Sequence, residues 1–318
     1  MRYKNLGNTN LKISEIAAGT WGFGGRGWGD ADRDKCIKAL HALLDLGVNT
    51  IDTAPAYGNG SVEELVGEAV KGKRDKLVIA TKCGINLKVP YGSGGKRMSA
   101  TKEEVIEGCE DSLKRLDTDY IDIFFLHWPD PDTHLEETMT AMQSLKDQGK
   151  IRHIGVSNFT IPLLEEALKF TSIEVLQPPF SMIDQSARDV MLWANQKNIG
   201  SMTYASLGAG LLGGKIREAV KFIEGDFRDN FYSRYFHEPG FSKVMELMKT
   251  VDKISESRKV PQSQVAINWA AQKEYVLCAL IGVRSEEHAK ENCASTAWSL
   301  TKEEIASLDA EIERLFID

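Results

Sequence analysis

Leu77-Val78-Ile79-Ala80-Thr81-Lys82 is too short for a stable helix, rich in aliphatic and β-branched residues, and ends on a lysine. Such a run reads as a strand, and a lysine has little reason to end it unless it is paired. Two further runs end the same way. Asn49-Thr50-Ile51 stops at Asp52, with Tyr57 beyond it in a Pro/Gly loop, and Ile121-Asp122-Ile123-Phe124-Phe125-Leu126 stops at His127. Helix-length stretches separate the three, so they read as parallel strands. In a barrel of such strands the carboxyl ends converge on one face, where active sites are built. A carboxylate, a phenol, an amine and an imidazole gathered there point to proton transfer, with neither a metal nor a nucleophilic serine required.

The same alternation extends along the chain. Strand-like runs fall near 15–20, 48–52, 77–82, 121–126, 151–156, 173–177, 199–204 and 276–282, with amphipathic stretches such as 34–46, 62–71 and 102–116 between them. Thr101 and Thr301, each followed three residues later by glutamate, mark helix starts. The segment from Arg2 to Ser14, with Gly7-Asn8 in its turn, predicts a β-hairpin. Eight strands alternating with helices predict a (β/α)8 TIM barrel preceded by that hairpin, all in one domain over residues 1–318. An open doubly wound sheet would carry G-x-G-x-x-G after its first strand. Gly19-Thr20-Trp21-Gly22-Phe23-Gly24-Gly25 stands there instead and is expected to open into a loop. The longest irregular stretch, 208–239, follows the seventh barrel strand and is rich in glycine, charge and aromatics, as functional loops often are.

Composition narrows the function. With 39 Lys and Arg against 46 Asp and Glu, the net charge is −7, which argues against general nucleic-acid binding. No run of about 18 apolar residues exists to span a membrane, and the polar start predicts no secretory signal. Five scattered cysteines without Cys-x-x-Cys spacing favour a reduced, cytoplasmic protein. If Lys82 and Asp52 pair, the ammonium is expected to stabilise a Tyr57 phenolate and lower its pKa. His127 is then placed to orient or polarise the same substrate oxygen.

This constellation resembles the aldo-keto reductase family, in particular bacterial members of the type related to potassium-channel β subunits. The resemblance rests on Asp52-Thr-Ala-Pro-Ala-Tyr57-Gly58, on Lys82, on Leu126-His127-Trp128, on Gly149 to Asn158, and on Met202-Thr-Tyr204-Ala-Ser206-Leu-Gly208-Ala-Gly210. It implies Tyr57 as general acid/base, Lys82 and Asp52 as its tuning pair, and His127 as the orienter of the carbonyl. It also implies a nicotinamide cofactor extended across the barrel mouth. Ser157, Asn158 and Gln177 would bond its carboxamide, Tyr204 would stack on the ring, and Gly19, Thr20 and Trp21 would border it. Ser206, Leu207, Gly208 and Gly210 would wrap the pyrophosphate, with Lys215 adding charge. Taken alone, Ser157-Asn158 reads equally as a turn capping the next helix.

Gly282, Arg284, Ser285, His288, Glu291 and Asn292 correspond to the family's adenosine-phosphate segment. Members that hold a 2′-phosphate often carry lysine and arginine where this chain has Gly282 and His288. Arg284 and Ser285 remain to grip it, so the expectation is NADP(H), with NAD(H) possible. Trp21, Tyr91, Trp128, Tyr57 and His127 would line the substrate side, suiting a sugar or an aromatic aldehyde. Asp226 and Arg228 either fold over the cofactor or are solvated charges.

The leading expectation is carbonyl reduction, or the reverse oxidation of an alcohol or sugar, by a monomer or homo-oligomer. A slow, nicotinamide-binding regulatory subunit is the alternative; the start at the hairpin gives no sign of a channel-docking extension. Metal-dependent hydrolysis would need a ligand cluster that the scattered histidines do not supply.

Overall fold

A computed structural model of the chain describes residues 1–25, 27–89, 95 and 97–317. Two short strands, β1 (Tyr3–Asn5) and β2 (Lys12–Ser14), pair antiparallel as the expected hairpin. Eight more close a parallel barrel: β3 (Ile16–Gly19), β4 (Thr50–Asp52), β5 (Val78–Cys83), β6 (Ile121–Leu126), β7 (Ile151–Ser157), β8 (Val175–Gln177), β9 (Gly200–Thr203) and β10 (Cys278–Gly282). Register pairs Gly19 with Asp52, Asp52 with Ala80, Lys82 with Phe125, and Ser157 with Gln177. Because side chains alternate along a strand, every second residue points into the barrel. Val78, Ala80, Ile123, Phe125, Val175, Met202, Cys278 and Leu280 fill it together with Leu6, Leu11 and Ile13 of the hairpin, which plugs the floor. Gly155 has no side chain because the Phe125 ring takes that space; a Cβ there would stand 2.4 Å from it.

The helices are α1 (Arg33–Asp45), α2 (Ser61–Ala69), α3 (Lys102–Leu116), α4 (Leu135–Asp147), α5 (Ile161–Ala167), α6 (Arg188–Gln196), α7 (Ser233–Phe236), α8 (Gly240–Arg258), α9 (Gln262–Ala271), α10 (Glu286–Cys293) and α11 (Lys302–Phe316). Both threonine starts hold: Thr101 accepts from the Glu104 amide, and Thr301 with Glu304 forms a full capping box. Apolar stripes of the helices form the larger core around the barrel wall. All five cysteines are buried and free. Burial pushes the Cys109 thiol up to about 12 and that of Cys293 up to about 11, and raises Cys83 and Cys278 further.

Two expectations are refined. The glycine-rich stretch after β3 does not simply loop but winds one 3-10 turn, Trp21–Gly24. The stretch 208–239 likewise holds a 3-10 segment, Gly208–Gly213, and α7. The 3-10 pieces are short, and Gly208–Gly213 is broken at Ala209 and Gly210 by left-handed backbone, so neither shows a hydrophobic period. Among the described residues, no helix is long and apolar enough to cross a membrane, and no group of three His, Cys, Asp or Glu is placed to hold a metal.

Candidate active site

The carboxyl ends of the barrel strands open into one cleft of about 1250 Å³. Its floor is polar and buried. Asp52 ends β4, and Lys82 stands one residue before the end of β5; their side chains are 3% and 1% exposed. Lys82 Nζ donates to Asp52 Oδ1 and Oδ2 at 2.7 and 2.9 Å and to the Thr53 carbonyl at 2.8 Å. Tyr57 Oη lies 3.4 Å from the same nitrogen. The Tyr57 turn reverses tightly through Gly58, Asn59 and Gly60, at φ 57°, 55° and 93°. Glycine supplies two of these left-handed positions without strain. His127, first residue after β6, sets its ring edge-on to Tyr57 with centroids 6.2 Å apart.

The electrostatics correct one expectation. Burial pushes the Tyr57 phenol well above its ordinary value, and the Asp52 carboxylate pushes it further. The predicted lowering fails because loss of water dominates, and the Asp52 charge adds to it. Tyr57 is held as a proton donor. Burial lowers the Lys82 pKa against the pull of Asp52. Burial, then the Lys82 and Arg97 charges, drive His127 well below its ordinary value, so its imidazole is neutral near pH 7.

A second row of polar groups follows on β7, β8 and the turn after β9. Gln177 lines the cleft, and its Nε2 donates to Asp52 Oδ2 at 2.7 Å. Ser157 Oγ donates to the backbone carbonyl of Gln177 at 2.7 Å. Asn158, at φ 63°, donates to the His127 carbonyl at 3.0 Å and accepts from the Tyr204 hydroxyl at 2.7 Å. Ser206 is buried, and its hydroxyl has no protein partner. An unpaired buried hydroxyl lining a cleft is costly unless a ligand satisfies it. With Leu207 and Gly210 beside it, and Gly282, Arg284 and His288 farther along the same wall, the lining fits an extended dinucleotide.

Not every expected residue reaches the cleft lining. The Thr20 hydroxyl is buried on the Asp52 carbonyl at 2.9 Å. Gly208 lies against Ile183 in the wall. Lys215 stands beyond the lining. Ser285 caps α10 by accepting the His288 amide, Glu291 accepts from the Ser263 hydroxyl, and Asn292 is on the buried face of α10. These residues build the walls. Arg284 lies at the cleft edge and bonds the carbonyls of Trp28, Gly29 and Asp30. Tyr91 falls outside the described residues.

Trp21, Trp28, Tyr57, His127 and Trp128 add aromatic surface to the cleft lining. The loop after β9 crosses to them. Phe227 stacks on Trp21 at 5.3 Å, and its amide donates to the Gly27 carbonyl at 3.0 Å. Asp226 and Arg228 pair with each other at 2.6 Å and stiffen that crossing. The sequence reading missed Trp28, Phe227, Phe231 and Tyr232 as lining residues. For Phe227, Phe231 and Tyr232 the signal was an aromatic cluster within an otherwise charged loop, and for Trp28 its place in the glycine-rich stretch after β3.

The chain matches the Aldo/keto reductase family over residues 15–313. It is 35% identical to the aldo-keto reductase YhdN of Bacillus subtilis, covering 100% of this chain and 96% of that one. It is 31% identical to an NADH-specific methylglyoxal reductase of Escherichia coli, with 91% and 92% covered. A probable voltage-gated potassium channel subunit beta of Arabidopsis thaliana is 30% identical, with 92% and 90% covered. Among solved structures, the glycerol dehydrogenase AKR11B4 from Gluconobacter oxydans superposes with TM-score 0.90 at 32% identity, with 99% and 96% covered.

Proposed function

The chain belongs to the aldo/keto reductase family, whose members are nicotinamide-dependent oxidoreductases, and we propose that it interconverts a small carbonyl and its alcohol with Tyr57 as general acid/base. The observation that carries this is the Tyr57 hydroxyl 3.4 Å from a Lys82 ammonium that Asp52 holds in place. When bound, the nicotinamide supplies or accepts the hydride. Ser157, Asn158 and Gln177 would hold its carboxamide, Tyr204 would lie against the ring, and Ser206, Leu207 and Gly210 would meet the pyrophosphate.

The rest of the chemistry belongs to this chain. Tyr57 keeps its proton through neutral pH and gives it to the substrate oxygen as that oxygen becomes negative. Lys82, beside the hydroxyl, stabilises the phenolate left behind, and Asp52 keeps the ammonium aimed. Neutral His127 donates one hydrogen bond to the same oxygen, fixing the carbonyl without competing as an acid. Trp21, Trp28 and Phe227 exclude water from the reacting face. In alcohol oxidation the same groups run in reverse, with Tyr57 taking the proton.

Arg284 at the cleft edge supports a preference for NADP(H), since its guanidinium fork would exchange the Trp28, Gly29 and Asp30 carbonyls for a 2′-phosphate. The methylglyoxal reductase and the glycerol dehydrogenase both act on three-carbon oxygenated molecules. That supports short hydroxylated or dicarbonyl substrates, handled by one catalytic unit over residues 1–318. Turnover is followed by the absorbance of NADPH or NADH with methylglyoxal, glyceraldehyde, an aromatic aldehyde and glycerol. Tyr57→Phe is expected to lose ~10²–10⁴-fold in kcat while binding cofactor normally. Undiminished turnover in that variant rejects the assignment.

A further inference from the structure

Behind the barrel wall, the catalytic corner holds a buried carboxylate that the chemistry above does not use. Glu63, in the first turn of α2, has no exposed surface. Its Oε1 accepts from the Thr81 hydroxyl at 2.6 Å, and its Oε2 accepts from Arg115 Nε at 2.7 Å. Arg115 lies in the last turn of α3, with its side chain 20% exposed. Apolar residues of similar volume would hold α2 on α3 at no desolvation cost, so a buried ion pair needs another reason to be there.

That reason lies in what each partner touches. Thr81 directly precedes Lys82 on β5 and faces outward where Lys82 faces in. The stem of Arg115 lies under Gly60, so close that a Cβ on Gly60 would stand 2.9 Å from Arg115 Cδ. Gly60 closes the turn that carries Tyr57. A continuous bridge of Gly60, Arg115, Glu63 and Thr81 thus joins the loop bearing the acid to the strand bearing its lysine. It runs wholly outside the substrate cleft.

We propose that the Glu63–Arg115 pair is a positioning brace that sets the separation of Tyr57 Oη from Lys82 Nζ and biases the proton transfer between enzyme and substrate. This rests on the function proposed above. Glu63 is faced by Arg115 and Cys109 from α3 and by Lys82 from β5; the Tyr57 phenol is faced by Asp52, Lys82, His127, Tyr204 and Tyr232. Lys82 is common to both sets, so a charge change at the brace reaches the phenol through it.

The test is the pH profile of kcat for alcohol oxidation, which needs Tyr57 deprotonated and so has an acid limb. Arg115→Met leaves Glu63 uncompensated and is expected to move that limb up by ~0.5 pH unit or more. Glu63→Gln removes the negative charge and is expected to move it down by a similar amount. Both are expected to lower kcat about tenfold with an unchanged cofactor Kd, read by fluorescence titration. Thr81→Val cuts the bridge without changing charge and should lower kcat with the limb unmoved. A merely structural pair would shift both limbs the same way or not at all, and would lose cofactor affinity along with kcat; either result overturns the brace. If the charge variants fail to fold, unchanged kcat in Thr81→Val overturns it alone. Tyr57→Phe, run in parallel, separates the failures. Retained activity there sinks the function, whereas its loss beside fully active brace variants sinks only the brace.

Discussion

The two halves of the cleft are fixed by different means. Around Tyr57, the polar groups stand on or next to strand ends and are bonded to one another: Lys82 to Asp52, Gln177 to Asp52, Asn158 to the His127 carbonyl. Around Ser206 and Arg284, the groups stand on turns, and their bonds go to backbone or, for the Ser206 hydroxyl, to no protein atom. The first half is organised before any ligand arrives; the second keeps the Ser206 hydroxyl in reserve for one. Rigid chemistry sits beside an adaptable grip, and substitutions should behave differently in the two.

The sharpest test of the rigid half is Lys82→Met. It strands the Asp52 carboxylate, so we expect a stability loss of about 3–5 kcal/mol by urea denaturation together with loss of turnover. A change below ~1 kcal/mol would erase the distinction between the halves. Gly24→Ala comes next. Its Cβ would stand 2.6 Å from the Gly58 amide, backbone that cannot swing away, so the Tyr57 turn must shift. A fall in kcat of about tenfold, with cofactor Kd nearly unchanged, is the expected split.

In the adaptable half, Ser206→Ala should weaken cofactor binding about tenfold, because the lost hydroxyl was waiting for a partner, while the empty protein becomes slightly more stable. Destabilisation of the empty protein would show that the hydroxyl already had one. His127 gives a smaller effect through pH. Its folded pKa lies below the unfolded value of about 6.5, so its contribution is complete above pH ~6.5 and is lost as pH falls toward the folded pKa. Wild type should lose up to ~1.4 kcal/mol per pH unit more than His127→Asn between pH 6.5 and 5. Smallest of all, Lys215→Ala should change cofactor Kd less than about twofold, since that lysine stands beyond the lining.

What was legible in the sequence follows the same division. Strand ends announce themselves, because a polar residue that terminates an apolar run must face somewhere particular. Asp52, Lys82 and His127 were therefore placed from spacing alone, and Tyr57 by its distance from Asp52. The barrel was equally readable, since eight runs alternating with amphipathic stretches leave few other folds. The far wall was not. Ser285 has the composition of a ligand-binding residue, yet its hydroxyl caps α10, and composition does not reveal that bond. The Tyr57 acidity was misjudged because the Lys82–Asp52 pair was counted without the burial of the phenol, which dominates. Phe227 reaches Trp21 across some two hundred residues of chain, a contact that no local pattern announces.

The five thiols, finally, turn the protein into its own reporter of opening. Cys83 and Cys278 lie in barrel strands, Cys36, Cys109 and Cys293 under the helices, and every one is both buried and raised in pKa. A small alkylating agent finds the thiolate only where structure has loosened, so labelling at each position clocks a different layer. Bound cofactor should slow labelling at Cys278, whose strand ends beneath the adenosine side of the cleft, more than at Cys109. Mass spectrometry of timed iodoacetamide reactions would then map, without any engineered probe, how far the grip of the ligand travels through the barrel.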